Sequence, residues 1–343
     1  MILKYFFVLI LFYSFTLQAC EKPTMPSKSE WLSWLEDVRI EAIEKGISNK
    51  TINLYLSEVK PQKKINLRDR CQPESTITLN EYLYYRVDKS RIVAGKNILK
   101  EYKNLLDDIG NYFQIQPRFI VAVLGMESFY GRNQGKIDTI TAVTTLAFDR
   151  RRSNFYRKQL FAALKILDDG LVPSGQLIGS WGGAVGMTQM IPTTFLESAY
   201  DWDGDGIVIW NSYADAFAST ANYLTSIDKN PWLIDSTWGR EVLPPKNISK
   251  IYPSLKQIDP KGCGAVKRRS ISKSLKEWSE LGFKNINNTK LPQRNDLETR
   301  LVAPDGVNGR MFLVYPNYKN ILYYNCSSYY AISIGLLSDK IIN

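Results

Sequence analysis

The sequence predicts a mainly α-helical protein (α+β class) with a small β-containing lobe towards its C-terminus. Apolar residues recur at helical spacing through much of residues 29–113, and an almost wholly apolar segment follows Pro117. Strand-like pieces occur only after about residue 230. With 343 residues, of which 44% are hydrophobic and 23% charged, the chain can bury a large core, and we expect more than one lobe.

Residues 1–20 predict export. The apolar run of residues 5–17 is too short for a permanent membrane span, so we expect a signal peptide over residues 1–19. Two interpretations of its end stay open: plain cleavage after residue 19, or acylation of Cys20, because the preceding Leu-Gln-Ala resembles a bacterial lipobox. We favour a periplasmic lipoprotein anchored to the outer membrane through Cys20, with residues 20–28 as a tether.

The helices follow from local patterns. Ser29 precedes an amphipathic helix that stops at Gly46, and weaker helical patterning continues, so residues 29–113 are expected to form a helical lobe. Pro117 opens the segment Phe119–Met126, whose apolar residues on every face predict a buried helix. Three later helices are expected at Asn154–Leu167, Ala216–Thr225 (capped by Asp215) and Tyr329–Leu337.

The strands define the remaining divisions of the chain. We expect strands at residues 300–302, 311–315 and 320–324, the first two joined by the turn-rich segment Pro304–Gly309. These patterns predict a largely helical part of residues 114–232, a small β-containing lobe of residues 233–318, and a C-terminal segment of residues 319–343.

Composition excludes several kinds of chemistry. The chain has no histidine, which excludes Ser-His-Asp and Cys-His catalysis and leaves carboxylates as acid–base groups. The formal net charge of +10 suits an anionic partner, but no nucleic-acid-binding signature is present, and we expect no nucleic acid. The cysteine spacing does not suit zinc. If Cys20 is acylated, Cys71, Cys263 and Cys326 can form at most one disulfide, and the sequence leaves the pair open.

Glu127 is the candidate acid–base residue. It directly follows the apolar segment Phe119–Met126, and a single serine separates it from Phe129 and Tyr130. Burial among apolar groups raises the pKa of a carboxyl group, which is the property that a general acid for glycosidic cleavage needs. The alternative is a water-exposed glutamate at a helix end.

Residues 201–208 match the first eight positions of an EF-hand calcium loop, with carboxylates at Asp201, Asp203 and Asp205 and a glycine at the sixth position. The twelfth position should be glutamate but is Ser212. The alternative to a calcium site is a hydrogen-bonded turn that holds no ion.

Several strings in this chain together resemble the membrane-bound lytic transglycosylase B family. Taken in order they cover about residues 30–343. The strings are Glu127–Gly131, Thr145–Asp149 with Arg151 and Arg152, Gly179–Pro192, Asp201–Trp210, Ala221–Leu224, and Tyr324–Ser327 with Tyr330 and Ala331. The resemblance implies that residues 114–232 form a lysozyme-like catalytic core to which residues 319–343 return. It also implies cleavage of the glycan strands of peptidoglycan. Glu127 would serve as acid and then base to form a 1,6-anhydro end, with no cofactor for the chemistry.

The resemblance also implies roles for other residues. Substrate-binding positions would be Ser128, Ser180, Gln189, Tyr223, Asn325 and Tyr330, although Tyr223 and Tyr330 also suit simple core packing. The family closes its metal loop later and with aspartate, so structural calcium would bind Asp201, Asp203, Asp205, the Ile207 carbonyl and Asp215. The segments Gly182–Gly186 and Gln189–Pro192 depart from the family pattern by apolar-for-apolar changes. Other cell-wall enzymes are further expected partners.

Three alternatives remain. A muramidase that adds water needs a second carboxylate facing Glu127, for which Asp138 and Asp149 are nearest in sequence. A non-catalytic peptidoglycan-binding lipoprotein would tolerate loss of Glu127. A calcium-dependent adhesion module built on residues 201–215 would leave Glu127 without a purpose.

Overall fold

The computed structural model describes residues 23–343 except 72–76, 208 and 227–229. The predicted signal peptide and Cys20 lie outside the described residues. Among the residues it does describe, no helix is both long enough and apolar enough to cross a membrane.

The first six helices are joined by short connections and do not form a core of their own. Helices α1 to α3 pack with the later helices α8 and α9, whereas α4 to α6 pack with α7, α11 and α16. The N-cap of α1 is Ser27, not the predicted Ser29, and Glu30 completes a capping box there. Their bounds are α1 Lys28–Glu44, α2 Asn49–Leu56, α3 Lys63–Arg70, α4 Leu79–Arg86, α5 Lys89–Glu101 and α6 Lys103–Phe113.

Helix α7 (Pro117–Ser128) is the centre of the molecule. Its residues Phe119–Met126 are all buried, as the apolar pattern predicts, and Pro117 occupies its first turn. Helix α16 packs along it, so the C-terminal segment returns to the core. The remaining long helices are α8 Thr139–Phe148, α9 Ser153–Asp168, α10 Pro192–Ser198, α11 Tyr213–Thr225, α15 Pro316–Tyr324 and α16 Ser328–Lys340.

Two antiparallel sheets complete the fold. A short pair joins β1 (Ile137–Asp138) to β2 (Ile178–Gly179). The larger sheet has the order β4-β6-β7-β3-β5 and packs on a small apolar core with two short helices, whereas a third short helix at residues 264–267 contributes Ala265 and Val266 to the core around α7. Its elements are β3 Gly239–Leu243, β4 Ser272–Lys273, β5 Lys284–Asn285, β6 Thr299–Val302 and β7 Met311–Val314, with α12 Ile248–Ile251, α13 Gly264–Lys267 and α14 Leu275–Glu280.

The predicted hairpin is confirmed, and one predicted strand is wrong. Strands β6 and β7 pair in antiparallel register, with Leu301 opposite Leu313. Residues 320–324 are not a strand but the end of α15, because Pro316 starts a helix there whose buried positions cluster on one face. Asp215 also does not cap α11. The Ser212 hydroxyl is the cap and accepts a hydrogen bond from the Asp215 amide.

Candidate active site

Helix α7 ends in a sharp corner that fixes the position of Glu127. Phe129 and Tyr130 both have left-handed backbone conformations, with φ of 52° and 58°. Consecutive non-glycine residues in this region are uncommon and persist only where the surroundings enforce them. Here the Tyr130 amide donates to the Leu124 carbonyl at 3.1 Å, and its ring lies so close to α7 that a Cβ on Gly125 would come within 2.6 Å of the Tyr130 hydroxyl.

A buried arginine holds the same corner from the side of α5. The Arg91 Nε donates to the Gly125 carbonyl at 2.8 Å, and the Tyr130 hydroxyl donates to the Arg91 carbonyl at 2.9 Å. The guanidinium also lies 4.9 Å from the centre of the Phe129 ring, over its face. Through these contacts Arg91 connects α5 to α7 and to the corner residues Phe129 and Tyr130.

The Glu127 carboxyl is surrounded by protein, although the residue keeps part of its surface accessible. Burial raises the pKa of Glu127 from 4.5 to about 7, while the Tyr330 hydroxyl and the positive charge of Arg86 oppose that rise. The predicted elevation of the pKa by apolar surroundings therefore agrees with the structure. Near neutral pH the group can both donate and accept a proton, as acid–base catalysis requires.

Tyr330 is the direct partner of Glu127. Its hydroxyl donates to the Glu127 Oε1 at 2.5 Å. Burial first, and the neighbouring carboxylate second, raise the pKa of Tyr330 well above its usual value, so it remains a neutral donor.

Further tyrosines form a row leading away from Tyr330. The Tyr324 ring lies parallel to that of Tyr330 with centroids 6.5 Å apart, and Tyr223 meets Tyr324 edge to face at 4.9 Å. The Tyr223 hydroxyl donates to the Tyr323 carbonyl at 2.7 Å, and the Tyr324 hydroxyl donates to the Thr188 carbonyl at 2.5 Å. In this row Tyr324 stands between Tyr223 and Tyr330.

Ser128 occupies a different position from the one expected. Its side chain is fully buried, donates to the Met187 carbonyl at 2.7 Å and accepts from the Gly131 amide at 2.8 Å. The prediction that Ser128 contacts substrate is therefore corrected: a hydroxyl engaged on both sides and closed to solvent fixes the corner to the neighbouring loop.

The glycine-rich loop carries Ser180 and Gln189, both partly exposed. The Ser180 hydroxyl accepts from the Ala184 amide at 3.2 Å, and the Gln189 amide group donates to the Gln134 and Gly186 carbonyls, each at 2.9 Å. A Cβ on Gly183 (φ 82°) would lie 2.4 Å from Val143 of α8, which explains this glycine by its approach to a neighbouring helix. The loop contacts the end of α7 through its Met187 carbonyl and Tyr324 through its Thr188 carbonyl.

Asn325 lies apart from this cluster. It is exposed between α15 and α16 and lines a cavity of about 650 Å³ that Glu127 does not line. The same connection contains Cys326, which forms a disulfide with Cys263. Of the pairings that the sequence left open, the structure therefore has the disulfide between Cys263 and Cys326.

The two carboxylates proposed as partners of Glu127 have other roles. The Asp149 carboxylate pairs with Arg70 at 2.8 Å and accepts from the Arg151 amide at 3.0 Å. Asp138 is exposed, and its carboxylate caps α8 by accepting from the Thr141 amide at 2.7 Å. In both cases the contacts of the carboxylate are with groups other than Glu127.

The acidic loop before α11 brings four carboxylates together. Oxygens of Asp201, Asp203, Asp205 and Asp215 lie within 4.8 Å of one another. Asp203 and Asp205 are exposed, whereas Asp215 is fully buried at the first turn of α11. A hydrogen bond to Asp203 and the negative charges around it raise the pKa of Asp205. This set of oxygen atoms fits a calcium ion, which prefers carboxylate and carbonyl ligands.

The Asp201 carboxylate also shapes its own loop. It accepts from the amides of Gly204 at 2.8 Å and Gly206 at 3.0 Å, while Asp215 accepts from the Trp202 amide at 2.9 Å. The predicted role of the Ile207 carbonyl stays a prediction.

Local sequence patterns do not mark two residues that interact with Glu127. They are Arg86, whose charge partly offsets the effect of burial on the pKa of Glu127, and Tyr324, whose pKa is raised first by burial and second by the charge of Glu127. Arg86 lies in α4, far from Glu127 along the chain, and no local pattern marks it. Tyr324 stood within one of the strings that carry the family resemblance, yet it was not singled out as a site residue.

Residues 30–339 of the chain match the family described as Transglycosylase SLT domain. Membrane-bound lytic murein transglycosylase B of Escherichia coli (strain K12) is 31% identical over 147 residues, which span 41% of this chain and 40% of that protein. The chain thus matches well under half the length of this curated relative.

Solved structures are similar over most of the chain. SltB3 from Pseudomonas aeruginosa in complex with NAG-anhNAM-pentapeptide is 36% identical with a TM-score of 0.81, covering 91% of this chain and 80% of that one. The Escherichia coli lytic transglycosylase Slt35 in complex with calcium is 23% identical with a TM-score of 0.72, covering 90% and 92%. At that identity the likeness concerns the fold alone. These similarities confirm the predicted fold class, mainly α with a lysozyme-like core.

Proposed function

Because this chain belongs to the Transglycosylase SLT domain family over residues 30–339, we propose that it is a lytic transglycosylase that cleaves the glycan strands of peptidoglycan. The observation that carries the proposal is the Glu127 carboxyl, which is enclosed by protein, has a pKa of about 7 and accepts a hydrogen bond from Tyr330. A group with this pKa is present in both protonation states near neutral pH.

The bond cleaved is the β-1,4 bond between N-acetylmuramic acid and N-acetylglucosamine. Protonated Glu127 donates its proton to the leaving glycosidic oxygen as the C1–O bond breaks. The resulting carboxylate then accepts the proton of the C6 hydroxyl of N-acetylmuramic acid as that oxygen bonds to C1. The products are a 1,6-anhydro end and a free hydroxyl on the leaving sugar. Glu127 regains its proton, so the enzyme is unchanged.

The attacking hydroxyl belongs to the same sugar, so the nucleophile is already close to C1 when the substrate binds. Acid–base catalysis by one positioned group contributes roughly 10²–10⁴ in rate. Tyr330 stabilises the carboxylate that exists between the two proton transfers, because its hydroxyl donates to the charged form.

The test is mass spectrometry of sacculi digested by the full-length chain, beside Glu127→Gln. We expect anhydro-muropeptides from the native chain and a loss of roughly 10²-fold or more in the variant. Reducing-end products that disappear in the variant would mean that the enzyme adds water. Release of neither product, with sacculus binding retained, would mean a binding protein.

A hydrolytic muramidase is the main alternative. It needs a second carboxylate across the sugar from Glu127. Asp149 pairs with Arg70 and Asp138 caps α8, which favours the transglycosylase. The C6 hydroxyl then replaces the attacking water, and Glu127 itself is the base that accepts its proton.

We also propose structural calcium in the acidic loop, bound by Asp201, Asp203, Asp205, the Ile207 carbonyl and Asp215. The convergence of four carboxylates within 4.8 Å supports it, since like charges at this distance repel one another without a cation. Calcium would stabilise the start of α11, and the reaction itself needs no cofactor.

Export and a lipid anchor at Cys20 complete the proposal, with the protein facing the periplasm from the outer membrane. The support is the sequence of residues 1–20, which lie outside the described residues. Mass spectrometry of the protein extracted with detergent should find acyl chains on Cys20 and none in Cys20→Ser. An unmodified cysteine in the native protein would contradict the anchor and leave export intact.

A further inference from the structure

A basic cavity lies between the small β-containing lobe and the connection from α15 to α16. It has a volume of about 650 Å³, within the range of ligand-binding pockets, and Glu127 does not line it. None of its described lining residues is acidic, and four are cationic: Lys256, Lys267, Arg268 and Arg269. The proposed reaction uses none of them, and their charge favours an anionic ligand.

The lobe that provides these four cations carries most of the net positive charge of the chain. Residues 233–318 contain 15 lysines and arginines but only 8 aspartates and glutamates, so their formal charge is +7 of the total of +10. In the part of the chain that the structure describes, none of the four cations forms an ion pair. Glu298, a neighbouring carboxylate, pairs instead with Arg300 at 3.0 Å.

Arg269 gives the basic cavity a buried donor without an acceptor. The residue is only 8% exposed, and its Nε donates to the Val266 carbonyl at 3.3 Å. Its two terminal NH₂ groups have no hydrogen-bond partner among the described residues. Burial first and the charge of Arg300 second lower the pKa of Arg269, but a guanidinium stays protonated in proteins. A buried charge without an acceptor is costly, and an anion that accepts from these groups offsets that cost.

The first turn of α16 supplies a second set of donors to the same cavity. Ser327, Ser328 and Tyr329 line it, and the Ser327 hydroxyl caps the helix by accepting from the Tyr330 amide at 3.4 Å. The amides of Ser328 and Tyr329 have no acceptor among the residues that the structure describes. Because α16 is 13 residues long, the positive end of a full helix dipole lies here, and such helix ends bind phosphate and similar anions.

A disulfide and a glutamine hold the cationic segment in place against α16. The disulfide between Cys263 and Cys326 joins the residue before α13 to the residue before the α16 cap. The Gln257 amide group donates to three carbonyls of the cationic segment, those of Val266, Lys267 and Arg269. The backbone of both walls is therefore ordered before a ligand binds, which lowers the entropy that binding costs.

We propose that the basic cavity is a binding site for a phosphate ester. The phosphate group accepts from the Arg269 guanidinium and from the free amides of α16. A tetrahedral phosphate accepts donors from several directions, as this arrangement requires, whereas the two oxygens of a carboxylate lie in one plane. Inorganic phosphate alone would leave most of the cavity empty, and its walls include Tyr252, Val302 and Pro304, on which the organic part of an ester packs.

The test is isothermal titration calorimetry of the full-length chain in a neutral detergent with glycerol 3-phosphate, at constant ionic strength. Its readout is binding, so the result does not depend on the proposed function. We expect one saturable site per chain. The variant Lys267→Gln/Arg268→Gln, whose two positions are exposed, should bind at least about tenfold more weakly, because it loses two charged groups that attract the phosphate.

The matched control is Lys246→Gln/Lys290→Gln, which removes the same charge from exposed positions of the same lobe outside the basic cavity and should bind like the native chain. The second control is succinate, a dicarboxylate of similar charge, which should bind at least about tenfold more weakly than glycerol 3-phosphate. No binding by the native chain, equal losses in the two double variants, or equal affinity for succinate would each overturn the inference.

A second ligand distinguishes two sources of the phosphate ester. Glycerophosphoglycerol is the headgroup of phosphatidylglycerol without its acyl chains. Tighter binding of this diester than of glycerol 3-phosphate would assign the basic cavity to a lipid headgroup at the membrane surface. Tighter binding of glycerol 3-phosphate would assign it to a soluble phosphate monoester.

Discussion

Glu127 and Asp205 are two carboxyl groups whose pKa values both lie above the usual range, and they differ in every other respect. Glu127 is enclosed at the end of a buried helix, and desolvation is the main cause of its raised pKa. Asp205 is exposed in a loop, and the hydrogen bond and charge of Asp203 are the main causes of its own. The pKa of Glu127 is raised because water is excluded from its carboxyl group, whereas the pKa of Asp205 is raised by the neighbouring carboxylates.

The two carboxyl groups should respond differently to a bound cation. A cation that binds the acidic loop removes the repulsion there, because it supplies the missing positive charge. No soluble ion can relieve Glu127 in the same way, since its penalty comes from the packed protein around it. From these different causes we predict a proton-transfer role for Glu127 and a cation-binding role for Asp205.

The largest effect expected on stability comes from removing the Glu127 charge. The folded-state pKa of about 7 lies above the ordinary value of 4.5, so the folded state binds the additional proton between these values and loses stability as the pH rises through them. A shift of this size corresponds to about 3 kcal/mol. Glu127→Gln should therefore unfold at higher denaturant concentration than the native chain at pH 8, and the gain should vanish towards pH 4.

Denaturant unfolding of both proteins at several pH values measures this gain. The matched control is Glu58→Gln, which alters an exposed glutamate in the loop after α2 and should change the stability little at any pH. If Glu127→Gln is no more stable than the native chain at pH 8, the Glu127 carboxyl is well solvated in the folded protein. Desolvation would then not distinguish Glu127 from Asp205.

Calcium binding to the acidic loop should change the stability of the folded state by a somewhat smaller amount. A ligand present at a hundred times its Kd stabilises the folded state by about 2.7 kcal/mol. Millimolar calcium should therefore raise the Tm by several degrees relative to a chelator, and magnesium should do less because it demands a tighter octahedral geometry. The variant Asp203→Asn should lose the response and be at least as stable as the native chain in chelator, since it carries one repelling charge fewer.

Thermal unfolding with calcium, magnesium or chelator measures these differences. Asp235→Asn, an exposed aspartate outside the loop, serves as the control and should keep the full calcium response. An identical Tm with calcium and with chelator would favour the hydrogen-bonded turn without an ion, for which the Asp201 contacts to Gly204 and Gly206 supply the basis.

Local patterns in the sequence were enough to predict the helix that carries Glu127 and the raised pKa of its carboxyl. Phe119–Met126 is apolar on every face, and such a helix has to be buried. The hairpin of β6 and β7 was equally predictable, because its turn residues stand between two short apolar runs. At residues 320–324 the aromatic residues favour a strand, whereas Pro316 favours the start of a helix, and the structure has the helix.

Local sequence patterns could not predict the contacts between residues that are far apart along the chain. Arg86 influences Glu127 from α4, and the partner of Cys326 lies 63 residues away, so neither relation leaves a local signal. Ser128 was expected to face substrate, but the turn of the chain after α7 directs its hydroxyl to the Met187 carbonyl. Each of these depends on how separate elements pack.

The smallest of the expected effects concerns Tyr330, and it tests the Glu127 side of the comparison directly. The Tyr330 hydroxyl donates to the Glu127 carboxyl at 2.5 Å and lowers its pKa, so it opposes part of the effect of burial. Tyr330→Phe should therefore raise the pKa of Glu127 above 7 and move the alkaline limb of the kcat/KM profile to higher pH. A hydrogen bond to a charged group is worth about 1.5 kcal/mol or more, so kcat should fall roughly tenfold.

The pH profile separates this role from a structural one. Loss of packing would lower the rate at every pH without moving the limb, whereas loss of the donor moves the limb and weakens Glu127 as an acid. Tyr323→Phe, which alters an exposed tyrosine of α15, should leave both the rate and the limb unchanged. If the limb of Tyr330→Phe stays in place or moves to lower pH, the hydrogen bond does not govern the carboxyl, and burial alone has to account for its pKa.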